Sequence, residues 1–135
     1  MTNVLVDTNI LIYALDTSSS FYSKCVKILQ NEEYNLITTT KNISELFAVC
    51  SKMNVDFNIT MGYYSDIKKN FTILKPSDQS LILFEELIRK YKPRGNRVYD
   101  IEIVSMMMAS DIRKIATINL SDFNTLTEVE LVEFH

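Results

Sequence analysis

Val4-Leu5-Val6-Asp7-Thr8-Asn9-Ile10-Leu11-Ile12-Tyr13-Ala14-Leu15 joins three consecutive apolar residues to an amphipathic run through a short polar hinge. Three apolar residues without alternation read as a strand buried on both faces. Thr8 is suited to cap a helix over Asn9 to Leu15, with Ile10, Leu11 and Ala14 as its inward stripe. A buried strand that passes directly into a helix is the opening unit of a parallel α/β sheet. Asp7 stands at the carboxyl end of that strand, the rim on which open α/β sheets hold their ligands.

The alternation continues along the chain. Ser18-Ser19-Ser20 interrupts the first helix and offers caps for a second, carrying Phe21, Cys25, Ile28 and Leu29. Leu36 to Thr39 predicts a strand, and a helix follows from about Asn42 with Ile43, Leu46, Phe47 and Cys50 as its buried stripe. Phe57 to Asn70 reads as a helix and Phe71 to Leu74 as a short strand. Pro76-Ser77-Asp78 signals the start of a helix holding Leu81, Phe84, Leu87, Ile88 and Tyr91. A polar loop, Lys92 to Arg97, contains Gly95. Val98 to Ile112 is then helical, with Ile101, Val104, Met108 and Ile112 on one face; Ile115 to Ile118 is a strand and Val129 to Phe134 a weaker, alternating one. The run Met106 to Met108 reads as core and helix contact. No repeat or linker divides residues 1–135, so the expectation is one α/β domain with a mainly parallel sheet.

Composition narrows the chemistry. Of 135 residues 47% are hydrophobic, and Gly 2 with Pro 2 excludes a disordered or low-complexity chain. The sole histidine is His135, the last residue, which removes Ser/His/Asp triads, Cys/His dyads and histidine-based ribonucleases. Enzymatic chemistry then falls to carboxylates. Cys25 and Cys50 form no CxxC pair and read as small buried hydrophobes of a reducing compartment. No basic n-region opens the chain, and the run Ile10 to Leu15 is too short for a signal or a membrane span. A soluble, cytoplasmic protein without membrane partners is expected.

Four acids sit near element boundaries. Besides Asp7, Glu45 lies near the start of its helix, one position off the apolar stripe. Asp100 opens a helix, where the dipole favours a carboxylate, and Asp122 follows a strand and a short loop in Asn119-Leu120-Ser121-Asp122-Phe123. On spacing alone these acids read equally as caps and solvated surface residues. Brought together, they repel and need a cation. An oxygen-rich pocket without histidine or cysteine suits Mg²⁺ or Mn²⁺.

The motifs carry a resemblance that goes beyond spacing. Val4 to Asp16 resembles the opening of a PIN domain, and Ile43-Ser44-Glu45-Leu46 is similar to that family's second acidic motif. Arg94-Gly95-Asn96-Arg97-Val98-Tyr99-Asp100-Ile101 resembles the third, as found in VapC-type toxins, and Ala116 to Phe123 the fourth. The resemblance implies an α/β/α sandwich and a metal-dependent endoribonuclease. By motif, Asp7, Glu45 and Asp100 match the acids that hold Mg²⁺ or Mn²⁺, while Thr8, Asn9 and Thr117 match the polar positions that orient them. Asn119 departs from members with an acid at that position, and Asp122 is taken as the fourth acid. The implied reaction is metal-assisted in-line hydrolysis leaving a 5′-phosphate. Dimerisation and inhibition by an antitoxin are also implied.

An acidic chain needs a local means of attracting RNA. Arg89, Lys90, Lys92, Arg94 and Arg97 fall within nine residues just before Asp100, and Lys92, Arg94 and Arg97 are the candidates for phosphate contact. Tyr13, Tyr63, Tyr64 and Tyr99 could stack bases but read more readily as partly buried. Two other readings bear on the same residues. One is a PIN-like RNA-binding or scaffold module weakened at Asn119. The other is a haloacid-dehalogenase-type phosphatase, which needs an aspartate where Asn9 stands.

Overall fold

The structure, a computed structural model, describes residues 1–133. Phe134, the end of the last expected strand, and His135 lie outside the described residues. The chain runs β1 (Thr2–Val6), α1 (Thr8–Tyr13), α2 (Tyr22–Leu29), β2 (Tyr34–Thr39), α3 (Thr40–Lys52), α4 (Phe57–Asn70) and β3 (Thr72–Leu74). It continues through α5 (Asp78–Tyr91), α6 (Arg97–Ala109), β4 (Lys114–Ala116), α7 (Leu120–Phe123) and β5 (Glu130–Leu131). The five strands lie in the order β3-β2-β1-β4-β5, and every neighbouring pair is parallel.

Strand alternation divides the core into two layers. Val4 and Val6 of β1 face Ile10, Leu11, Cys25, Leu46, Cys50 and Ile67 from α1 to α4. Leu5 points the other way, toward Leu87 of α5, Ile101, Val104 and Met107 of α6, and Phe123 of α7. This is the expected α/β/α sandwich, with the first strand at its centre. Met106 and Met107 are buried as core residues. Cys25 and Cys50 are buried and unpaired, and burial pushes the Cys25 thiol up to about 11. Among the described residues no helix is long and apolar enough to cross a membrane.

Local chemistry moves several boundaries. Asp7, not Thr8, caps α1: its backbone is extended and its side chain accepts from Thr8 N. No serine caps α2; Phe21 holds that position, and the Ser19 hydroxyl instead accepts from Phe21 N at 3.1 Å. Thr39 caps α3, which begins at Thr40, two residues before the expected start, so Glu45 falls in the second helical turn. Arg97 belongs to α6 rather than to the preceding loop. β4 ends at Ala116 because the next backbone donor beyond Thr117, Ile118 N, goes to Asn9 Oδ1 at 3.1 Å. The single turn α7 occupies a segment read as loop.

Ile115 is fully buried in β4 between the layers. Ile115→Ala is expected to cost about 2–5 kcal/mol in urea unfolding. Leu81→Ala, on the exposed face of α5, should stay within about 0.5 kcal/mol of the parent.

Candidate active site

Asp7 N donates to Ala116 O at 3.0 Å, so Asp7 leaves β1 still tied to β4. Asp7 is 8% exposed, and an anion so placed needs donors. Oδ1 accepts from Thr8 N at 2.8 Å and Asn42 Nδ2 at 3.3 Å. Oδ2 accepts from Thr117 Oγ1 at 2.8 Å and Asn9 Nδ2 at 3.2 Å. The Asn9 amide also reaches Thr117 Oγ1, which in turn accepts from Asn119 N at 3.1 Å. Thr8, Asn9 and Thr117 therefore surround Asp7.

Asn42 is missing from that reading. It is fully buried on α3 and donates to Thr8 Oγ1 at 3.0 Å as well as to Asp7. Its carbonyl accepts from Thr39 Oγ1 at 2.6 Å. The signal was available: Asn42 shares the i, i+4, i+8 spacing of Leu46 and Cys50, so it faces inward. A carboxamide there must have partners.

The other three predicted acids arrive from three other elements, and Asp16, just beyond α1, lines the same cleft. Glu45 of α3, Asp100 of α6, and Asn119 and Asp122 at the start of α7 line one cleft of about 410 Å³ with Asp7 and Asn9. Asp122 is held there through its backbone, whose carbonyl accepts from Arg97 Nη2 at 3.2 Å. Among the described residues no three acids close to metal-ligating spacing; the carboxylates share the cleft without forming a closed cage.

Electrostatics couple them. Burial raises the Asp7 pKa, the Thr117 and Thr8 hydrogen bonds oppose it, and Asp122 adds to the rise. Glu45 is raised by burial and by the Asp7 charge, while Lys41 pulls it down. Asp100 is pushed up to about 7, by burial first and then by Asp122, Asp7 and Glu45. Asp7, Glu45 and Asp100 are thus each raised by a neighbouring carboxylate as well as by burial, a pattern that marks candidate functional sites.

The basic segment divides by use. Arg89 pairs with Glu85 at 2.8 Å and Lys90 with Glu128 at 2.6 Å. Lys92 and Arg94 are exposed and form no ion pair among the described residues. Of the four tyrosines, Tyr63 is spent on Leu11 O at 2.8 Å, and Tyr13 and Tyr64 pack on Phe21 and Phe47. Tyr99 alone among them is exposed, with Lys41 Nζ 3.8 Å from its ring centroid.

Comparison with known proteins places the fold. The PIN domain family matches residues 4–124. No curated protein matches the chain. VapBC2 of Rickettsia felis, solved on a promoter DNA fragment, superimposes with a TM-score of 0.75 at 18% identity, covering 97% of this chain and 98% of that one. VapBC-1 of nontypeable Haemophilus influenzae gives 0.73 at 18% identity, with 98% of each chain covered. VapC20 of Mycobacterium tuberculosis, a sarcin-ricin loop cleaving toxin, gives 0.67 at 10% identity over 83% of this chain and 86% of that one. At such identities the likeness is one of fold.

Two outcomes follow from this geometry. Asn42→Ala removes a donor from Asp7 and leaves the buried Thr39 hydroxyl short of a partner, and should cost about 2–3 kcal/mol in urea unfolding. Asp100 holds its proton more tightly folded than unfolded, so its charge destabilises the fold increasingly from pH 3.8 to about 7 and fully above that. In EDTA, Asp100→Asn should therefore melt above wild type at pH 8, with the gap shrinking toward pH 4.

Proposed function

The chain belongs to the PIN domain family, and on that footing we propose that it is an endoribonuclease dependent on Mg²⁺ or Mn²⁺, the toxin of a VapBC-type toxin–antitoxin pair. The observation that carries this reading is the convergence of Asp7, Glu45, Asp100 and Asp122 on one cleft at the carboxyl rim of the sheet. The donor set fits a hard cation. Asp7, Glu45, Asp100, Asp122 and the Asn119 carbonyl offer only oxygen, and the cleft contains no histidine or cysteine. Their openness suits an ion that keeps several waters and takes few carboxylates.

In this reading Asp7, Glu45, Asp100 and Asp122 hold the cation. When bound, it acidifies an attacking water and offsets charge on the scissile phosphate. Asp7 is immobilised by its four donors and gives the site a fixed reference point. Thr8, Asn9 and Thr117 keep it there, and Asn42 joins them. Burial and the neighbouring acids push Asp100 up to about 7, and a bound cation would favour its charged form. Lys92, Arg94 and Arg97 at the α5–α6 turn draw in the RNA backbone. An antitoxin partner is supported by relatives solved as toxin–antitoxin complexes. Homodimerisation and a cytoplasmic location complete the proposal, the latter supported by two unpaired cysteines.

A second reading keeps RNA binding and drops catalysis, on the strength of Asn119 replacing an acid. The two separate cleanly. Asp7→Asn and Asp100→Asn proteins should cut single-stranded RNA more than about 100-fold more slowly than wild type, and Asn42→Ala roughly 10–100-fold more slowly. A folded Asp7→Asn protein that cuts at the wild-type rate would end the nuclease reading. Millimolar Mn²⁺ should also raise the melting temperature of wild type but not of Asp100→Asn. That rise should grow from pH 6 to pH 8, as the Asp100 proton leaves near 7.

A further inference from the structure

Asp100 and Asp122 line a second cavity as well, of about 380 Å³, so it shares a wall with the acid cleft. That volume is within the range of small-molecule sites, roughly 300–1,000 Å³. Tyr91, Pro93, Ile101 and Leu126 supply apolar walls, and Thr125 a hydroxyl. Lys92, Arg94 and Arg97 supply three cations, none of them in an ion pair among the described residues, and Arg97 donates to the Asp122 carbonyl.

The cavity is preformed. Tyr91 Oη donates to Glu128 Oε1 and accepts from Thr127 N at 3.2 Å. Lys90 Nζ contacts Glu128 Oε2 at 2.6 Å. These bonds fix the segment bearing Thr125 and Leu126 to the end of α5. Lys92, left-handed at φ 47°, then ends the helix and turns the chain into Pro93 and Arg94.

Apolar walls between a cationic edge and the acidic edge shared with the neighbouring cleft match a nucleotide rather than a bare anion. We propose that this cavity receives one unstacked nucleotide of a single-stranded RNA, next to the phosphate that the acid cleft cleaves. Its base packs between Tyr91, Pro93 and Leu126, and Lys92 and Arg94 hold its phosphate. A base inside a duplex cannot enter without leaving its stack, so the cavity selects unpaired RNA and makes cleavage depend on the base at one position. The inference rests on the nuclease reading above.

The test is a titration of isotope-labelled wild-type protein in Mg²⁺ with adenosine and uridine 5′-monophosphates, which contain no bond to cleave. Saturable amide shifts clustered at Tyr91, Lys92, Arg94, Ile101, Thr125 and Leu126 are expected. Ribose 5-phosphate should bind more weakly, and Arg94→Ala should lower nucleotide affinity about three- to tenfold. No shifts, shifts confined to Asp7, Glu45 and Asn119, or equal affinity for inorganic phosphate would overturn the proposal. If Asp7→Asn leaves RNA cleavage unchanged while nucleotides still bind here, the nuclease reading fails and not this cavity. Cleavage that depends on Asp7 without nucleotide binding here sinks the cavity alone.

Discussion

A carboxylate cannot be buried at the end of a central strand unless the surrounding chain is committed to serving it. Asp7 is such a group, and it draws its four donors from three places: the start of α1, the first turn of α3 and the segment after β4. Three of these side chains are fixed by further bonds, Asn42 by Thr39, Asn9 by Ile118 and Thr117 by Asn119. The network thus sets the relative position of the elements that carry Glu45 and Asn119. It also stops β4 at Ala116 by taking the backbone donor that would have extended the ladder.

Once Asp7 is fixed, the placement of the other acids works against stability. Burial and mutual repulsion raise Asp7, Glu45 and Asp100 together, so gathering these charges in one cleft opposes folding. Positive charge lies close by without cancelling it. Arg97 is tied to the Asp122 carbonyl, and Lys90 to Glu128, leaving Lys92 and Arg94 at the neighbouring cavity. A net charge of −3 therefore averages over two adjacent regions of opposite sign. The average says little about which anions the surface accepts.

Much of this was legible in the chain. Unalternating apolar triplets, helical stripes and the acids at element ends gave the layers and the rim of the site, because burial imposes period and boundary together. Legibility failed where a single side chain chose between neighbouring options. Asp7 and Thr8 are both competent caps, and the extended backbone at Asp7 decides between them. Asn42 looked like a helix start because its three hydrogen-bonding partners, Asp7, Thr8 and Thr39, include two from more than thirty residues away. A turn as short as α7 has no period to detect, and β5 is shortened to two residues at the sheet edge. Local pattern predicts where a residue faces, while its partner is set by topology.

The strand order has a consequence in time. β1 emerges first from the ribosome, yet one of its neighbours is β4, and Thr117 follows Asp7 by 110 residues. At about 5–20 residues per second, the carboxylate waits on the order of ten seconds for its last donor, and Asp100 and Asp122 are made late as well. An unfinished chain consequently has no assembled acid cleft. The cleft is complete only after Asp122 has been added, so a chain that stops before Thr117 lacks both the last donor to Asp7 and the fourth acid.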